Sequence, residues 1–117
     1  MQALFILNAA PYGSELTHNG LRLAAALAKR EHNTVRIYLM GDAVGTAKSG
    51  QKVTEGQPNL QTILGRISAT NQDNIGVCGG CMDSRALQDS DLIEGTYRGT
   101  LEQLADWSEW ADKVFVF

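Results

Sequence analysis

The chain has 117 residues, 44% of them hydrophobic, with 13 acidic against 10 basic side chains and a formal charge of -3. That length and apolar content fit one domain over residues 1–117 that builds its core without staples. The acidic balance argues against nucleic acid as a partner, because phosphate binding needs a basic face. No apolar run approaches the roughly 20 residues that cross a bilayer, so no membrane partner is expected.

The opening MQALFILNAAPYGSE has no basic leader and continues into glycine and charge rather than a cleavage site. It reads as a strand, continuously apolar from Ala3 to Leu7 as a central parallel strand is. Ala10 to Glu15 is a loop broken by Pro11 and Gly13, and Ser14 is expected to cap the helix that follows. That helix places Leu16, Gly20, Leu23, Ala24 and Leu27 on one face, with Asn19, Arg22, Lys29 and Arg30 pointing elsewhere. Thr34 to Met40 is a second strand, and its alternation of Arg36 and Tyr38 with Val35, Ile37 and Leu39 suggests a place nearer the sheet edge.

A short helical piece is expected near Asp42, Ala43 and Val44. The segment KSGQKVTEGQPN is polar, glycine-rich and the longest irregular stretch, and loops of that length often carry function. Leu60, Ile63, Leu64 and Ile67 follow helical spacing. Asn74 to Val77 is a third strand with Cys78 at its carboxyl end, followed by a broken helix over SRALQDSDLIE and a weak strand at Gly95 to Arg98. Thr100 and Gln103 have capping-box spacing, which starts a last helix through Leu101, Leu104, Ala105, Trp107 and Ser108. Trp107 and Trp110 on that helix are either core or an aromatic strip for subunit contact. DKVFVF closes the chain as an apolar strand. The fold expected is α/β, a flavodoxin-like three-layer domain with about five mostly parallel strands.

The only two cysteines lie in VCGGCMDSR. In open α/β sheets chemistry gathers beyond the carboxyl ends of the strands, where Cys78 falls. Gly79 and Gly80 leave the sulfur uncrowded and let backbone N–H groups turn toward it, which favours the thiolate. Arg85 adds a positive charge if the segment folds back, and Cys81 is close enough to attack a modified Cys78. These conditions lower a thiol pKa toward neutrality. A sulfur-carrying or redox thiol competes with three other readings. Zinc needs four ligands and the chain adds only His18 and His32, neither near the pair, so no metal is expected within one chain. A thioredoxin-like site needs its CxxC early and at the head of a long helix, and no good helix is expected after this pair. The plainest reading makes both cysteines small buried hydrophobes.

The first loop borders the same crevice, so Tyr12, Gly13 and Ser14 are candidate pocket residues. With one serine, a proline and a glutamate it is a poor flavin-phosphate site, and no cofactor is expected. Asp42, at the end of the second strand, is either a proton acceptor facing the crevice or a helix cap. Tyr97 could line the pocket or fill space. With no export signal and a single CxxC, the expected compartment is the reducing cytoplasm.

LNAAPYGSE, LMGDAV, GQK, VCGGCMDSR, LIEGTYRGTLEQLADW and ADKVFVF occur in the order expected of the DsrE/DsrF-like superfamily. Almost the whole chain resembles its small YchN-type branch. The superfamily includes sulfur-relay subunits of TusD and DsrE type, in which a cysteine just after the third strand accepts persulfide sulfur and passes it on. The resemblance implies that role for Cys78, with sulfur donor and acceptor proteins as partners. Cys81 matches the second thiol of the YchN-type CxxC and has no counterpart in many relay proteins, which carry an apolar helix start where this chain has GGCMDSR. The resemblance also implies a cytoplasmic homo-oligomer, a trimer or a hexamer of stacked trimers, with the thiols near subunit interfaces. The alternative is a non-catalytic oligomeric module that binds a small anion or a peptide, its cysteines structural or redox-sensing.

Overall fold

The structure, a computed structural model, describes residues 1–117. The elements in chain order are β1 (Gln2–Leu7), α1 (Leu16–Ala28), β2 (Thr34–Leu39), a 3-10 segment (Gly41–Ala47), α2 (Leu60–Thr70), β3 (Ile75–Cys78), α3 (Gly79–Asp83), a 3-10 turn (Asp89–Asp91), β4 (Tyr97–Gly99), α4 (Leu101–Trp110) and β5 (Lys113–Val116). All strand pairings are parallel and the sheet order is β4-β3-β2-β1-β5. The chain steps one way from β1 to β4, then crosses back to lay β5 on the far side of β1. Right-handed crossovers therefore place α1 and α2 on one face and α4 on the other. This is the three-layer α/β architecture expected.

Each strand serves two cores. Phe5, Leu7, Ile37, Leu39, Ile75 and Val77 pack on one face with Leu21, Ala24, Leu60 and Leu64. Leu4 and Tyr38 pack on the other with Leu104 and Trp107 of α4. The Tyr38 ring meets Trp107 edge-on, with centroids 6.1 Å apart and planes at 90°. That second core corrects the expected position of β2, which is the middle strand and not near an edge. Its two polar-looking residues are absorbed by α4: Tyr38 is 1% exposed, and the Arg36 guanidinium stacks 4.0 Å over the Trp110 ring and 5.2 Å over Trp107.

The inward face of α1 also differs from expectation. Thr17, Gly20, Leu21 and Ala24 are buried, whereas Leu16 and Leu23 are 53% and 37% exposed. Thr17 turns inward because its hydroxyl donates to the Ala9 carbonyl at 2.6 Å, a pairing that hydrophobic spacing does not register. Ser14 is not the cap of α1. Glu15 holds that position, and Ser14 Oγ, one residue earlier, accepts the Leu16 N–H at 3.2 Å. α2 is capped as its sequence suggests, Asn59 accepting from the Thr62 N–H.

The polar stretch before α2 is tied down by Gln51. Its Oε1 accepts the Tyr12 hydroxyl at 2.6 Å, and its Nε2 donates to the carbonyls of Thr46 and Lys48 at 2.9 and 2.8 Å. The expected broken helix over 84–94 is absent apart from the turn at Asp89–Asp91. Ala86, with φ at 55°, leaves the helical region and ends the run. β5 is an open edge strand: Phe115 stacks on Phe5 at 4.7 Å, but Val114 and Val116 on the α4 side are 46% and 65% exposed.

Candidate functional site

β3 ends on Cys78 and α3 begins at Gly79, so Cys78 is at once the last strand residue and the helix N-cap. The helix is only five residues long and contains Cys81, so no long helix of the thioredoxin kind follows the pair. Cys78 Sγ accepts the N–H of Cys81 at 3.4 Å. A serine or aspartate oxygen caps a helix in the same way; here a sulfur does it. Both cysteines are free and half-buried.

A helix of five residues beginning with two glycines does not persist alone. Two arginines strap this one, at its middle and at its carboxyl end. Arg85 donates through Nη2 and Nε to Asp42 Oδ1 at 2.9 and 3.1 Å, and through Nη1 to the Cys81 carbonyl at 3.1 Å. Arg98 of β4 donates through Nη2 and Nη1 to the Asp83 carboxylate at 2.7 and 3.3 Å, and through Nε to Asp89 at 2.9 Å.

The register fixes what lies beneath the thiol. Tyr38 pairs with Gly76 and Cys78 with Gly99, so strand alternation turns the Cys78 side chain to the α4 face beside Tyr38. A Cβ at Gly99 would lie 2.6 Å from Gln103 Oε1 and 2.9 Å from Tyr38 Cε2, so only glycine admits both side chains. The Tyr38 hydroxyl donates to the Thr100 carbonyl at 2.8 Å, and Gln103 Nε2 donates to the Tyr97 hydroxyl at 2.7 Å. Burial pushes the Tyr38 phenol up to about 12, with smaller contributions from Cys78 and Cys81. It stays a neutral donor at every physiological pH.

The Cys78 thiol is shifted in the direction opposite to the one expected. Burial pushes its pKa up, and a side-chain hydrogen bond with Cys81 adds to the rise. The N–H groups of Cys81 and Gly80 pull it down but do not outweigh the other two. Arg85 supplies no help, because its guanidinium is spent on Asp42 and the Cys81 carbonyl.

Six of the expected site residues thus come together: Cys78, Gly79, Gly80, Cys81, Arg85 and Asp42. Asp42 is neither free base nor cap; it is the ion-pair partner of Arg85 at 2.9 Å, and Met40 holds the cap position. Tyr12, Gly13 and Ser14 lie elsewhere, along a groove of about 710 Å³ shared with His18, Lys52 and Thr54 that neither cysteine lines. Tyr97 lies at the site's margin, its hydroxyl donating to the Asp73 carbonyl at 3.2 Å. No group of three or more His, Cys, Asp or Glu side chains is arranged to hold a metal ion. Sequence reasoning missed Tyr38, Asp83, Asp89, Arg98 and Gln103. The available signal was the pairing of glycines on neighbouring strands with long side chains that need the space.

The DsrE/DsrF-like family matches residues 1–117. Protein YchN of Escherichia coli K12 is 44% identical over 119 residues, covering 100% of both chains. An uncharacterized protein of Methanopyrus kandleri is 33% identical over 96% of this chain and 90% of its own length. The crystal structure of the E. coli ychN protein superposes with a TM-score of 0.89 at 43% identity, covering 100% of each chain. A Methanobacterium thermoautotrophicum protein of unknown function shares the fold, with a TM-score of 0.71 at 9% identity over 97% of both. No helix is long and apolar enough to cross a membrane.

Proposed function

The chain belongs to the DsrE/DsrF-like family, and from that premise we propose that it is a cytoplasmic sulfur-relay protein whose Cys78 accepts sulfane sulfur as a persulfide. The observation that carries this reading is the half-buried Cys78 sulfur at the carboxyl end of β3, which accepts the Cys81 N–H at 3.4 Å. That amide favours the anion on which nucleophilic attack depends.

The Cys78 thiolate attacks the outer sulfur of a donor persulfide. A new S–S bond forms to Cys78, the donor's own S–S bond breaks, and the donor leaves as a thiolate that takes up a proton. An acceptor thiolate then attacks the terminal sulfur, and Cys78 departs as thiolate. Alternatively Cys81 attacks the Cys78 sulfur, forming the Cys78–Cys81 disulfide and releasing hydrosulfide. A raised pKa reduces the thiolate fraction but makes each thiolate the stronger nucleophile.

The working unit is a homotrimer or homohexamer, with a sulfur donor and an acceptor protein as transient partners. Support for self-association comes from the open edge of β5, where Val114 and Val116 are exposed. A second reading, in which the pair only senses redox state or stabilises a binding module, draws on the upward shift of the Cys78 thiol.

The test is incubation with cysteine persulfide followed by intact-mass measurement. The relay reading expects one added sulfur atom in Cys81→Ser, either one added sulfur or the loss of two hydrogens of the Cys78–Cys81 disulfide in the wild type, and neither in Cys78→Ser. A wild type that stays unmodified while a reactive control thiol is loaded contradicts it and favours the second reading.

A further inference from the structure

We propose that Arg98 is a positioning residue for the Cys78 thiol: by gripping Asp83 and Asp89 it clamps α3 against β4 and so holds the amide of Cys81 on the sulfur. The inference deepens the sulfur-relay reading and rests on it only in taking the Cys78 thiolate as the working species.

Three observations carry it. First, α3 is a single short turn with two glycines at its head, and its position depends on what grips it. Asp83 closes α3, and Arg98 takes both of its oxygens, at 2.7 and 3.3 Å. The fork geometry fixes direction as well as distance, which a single-point contact does not. Second, Arg98 lies directly across the head of the helix. A Cβ at Gly79 would stand 2.7 Å from Arg98 Nη1, 3.1 Å from Arg98 Cγ and 3.2 Å from the Gly99 carbonyl. The residue after the thiol must be this small for the guanidinium to reach Asp83. Third, the Arg98 charge is opposed by two carboxylates, Asp83 and Asp89, at 2.7 and 2.9 Å. Its field at the sulfur is thereby largely cancelled, so Arg98 acts through the helix and not as a free cation beside the thiol.

The rival is direct electrostatic stabilisation, and the two differ in sign at one position. Replacing Asp83 by asparagine loosens the clamp, which takes the Cys81 amide off the sulfur and raises the thiol pKa. If Arg98 worked instead as a free cation, the same change would unmask its charge and lower the thiol pKa.

The experiment measures the rate of Cys78 alkylation by iodoacetamide against pH in the folded full chain. Every variant is built on Cys81→Ala so that one thiol titrates. Arg98→Met and Asp83→Asn are both expected to move the profile to higher pH, cutting the neutral-pH rate by about threefold or more, since half a pKa unit changes the thiolate fraction about threefold. Arg98→Lys keeps the charge without the fork and is expected to move it less, in the same direction. A downward shift in Asp83→Asn, or no shift in either Asp83→Asn or Arg98→Met, overturns the proposal. Asp83 is 67% exposed on its side chain, so its isosteric replacement leaves the core untouched. If Arg98→Met fails to fold, the Asp83→Asn profile decides alone. The readout uses no sulfur donor, so it stands whether or not Cys78 is found to load with persulfide.

Discussion

The N–H of Cys81 points at the Cys78 sulfur across 3.4 Å, so the residue that carries the second thiol also supplies a backbone donor to the first. The two parts of Cys81 pull in opposite directions. Its amide favours the Cys78 thiolate; its side chain, through a hydrogen bond and through its own charge when ionised, disfavours it.

That opposition makes Cys81→Ala informative. Alanine keeps the amide and removes the thiol, so the Cys78 pKa falls. The sign follows directly: the thiolate is the reactive form, a raised pKa displaces the alkylation profile to higher pH, and removing one cause of the rise moves it back. The measurement is the pH midpoint of alkylation, compared with wild type. A midpoint that stays put or climbs contradicts the assignment.

Gly99 is expected to be intolerant of even one added methyl. Gly99→Ala would bring a Cβ within 2.6 Å of Gln103 Oε1 and 2.9 Å of the buried Tyr38 ring. Overpacking of this kind costs about 1–3 kcal/mol. Urea unfolding of the folded variant checks it through a lower midpoint at unchanged slope, and an unchanged midpoint would show that the space beneath the thiol is not filled as described.

Tyr38→Phe removes the hydroxyl that donates to the Thr100 carbonyl at 2.8 Å while keeping the ring against Trp107. The expected loss is about 0.5–1.5 kcal/mol, again read by urea unfolding. Because the phenol sits near both thiols and stays protonated, the variant is not expected to abolish alkylation of Cys78. Abolition would give Tyr38 a direct part in the chemistry.

The parts of this structure legible in the sequence are those set by short-range pattern. The apolar run at Ala3 to Leu7, the spacing of Leu60, Leu64 and Ile67, and the Thr100 cap appear as read. What was not legible depends on partners distant in the chain. β2 looked like an edge because nothing local reveals that Tyr38 and Arg36 face the tryptophans of α4, some seventy residues on. Leu16 and Leu23 belong to the apolar stripe of α1, yet they remain exposed while Thr17 is buried through a hydrogen bond. At the site, the spacing put Cys78 at the end of β3 with both glycines and Cys81 just after it, where they lie. It could not show that Arg85 turns to Asp42, that Arg98 reaches α3 from the neighbouring strand, or that burial would outweigh the amides in setting the thiol.

The sulfur chemistry depends on Cys78 reacting from within the native fold. The direct measurement is its alkylation rate at neutral pH in buffer, set beside the rate of global unfolding under the same conditions. The account predicts modification of Cys78 well ahead of unfolding, with a rate proportional to reagent concentration. A thiol that reacts only as fast as the chain unfolds, whatever the reagent concentration, would contradict it.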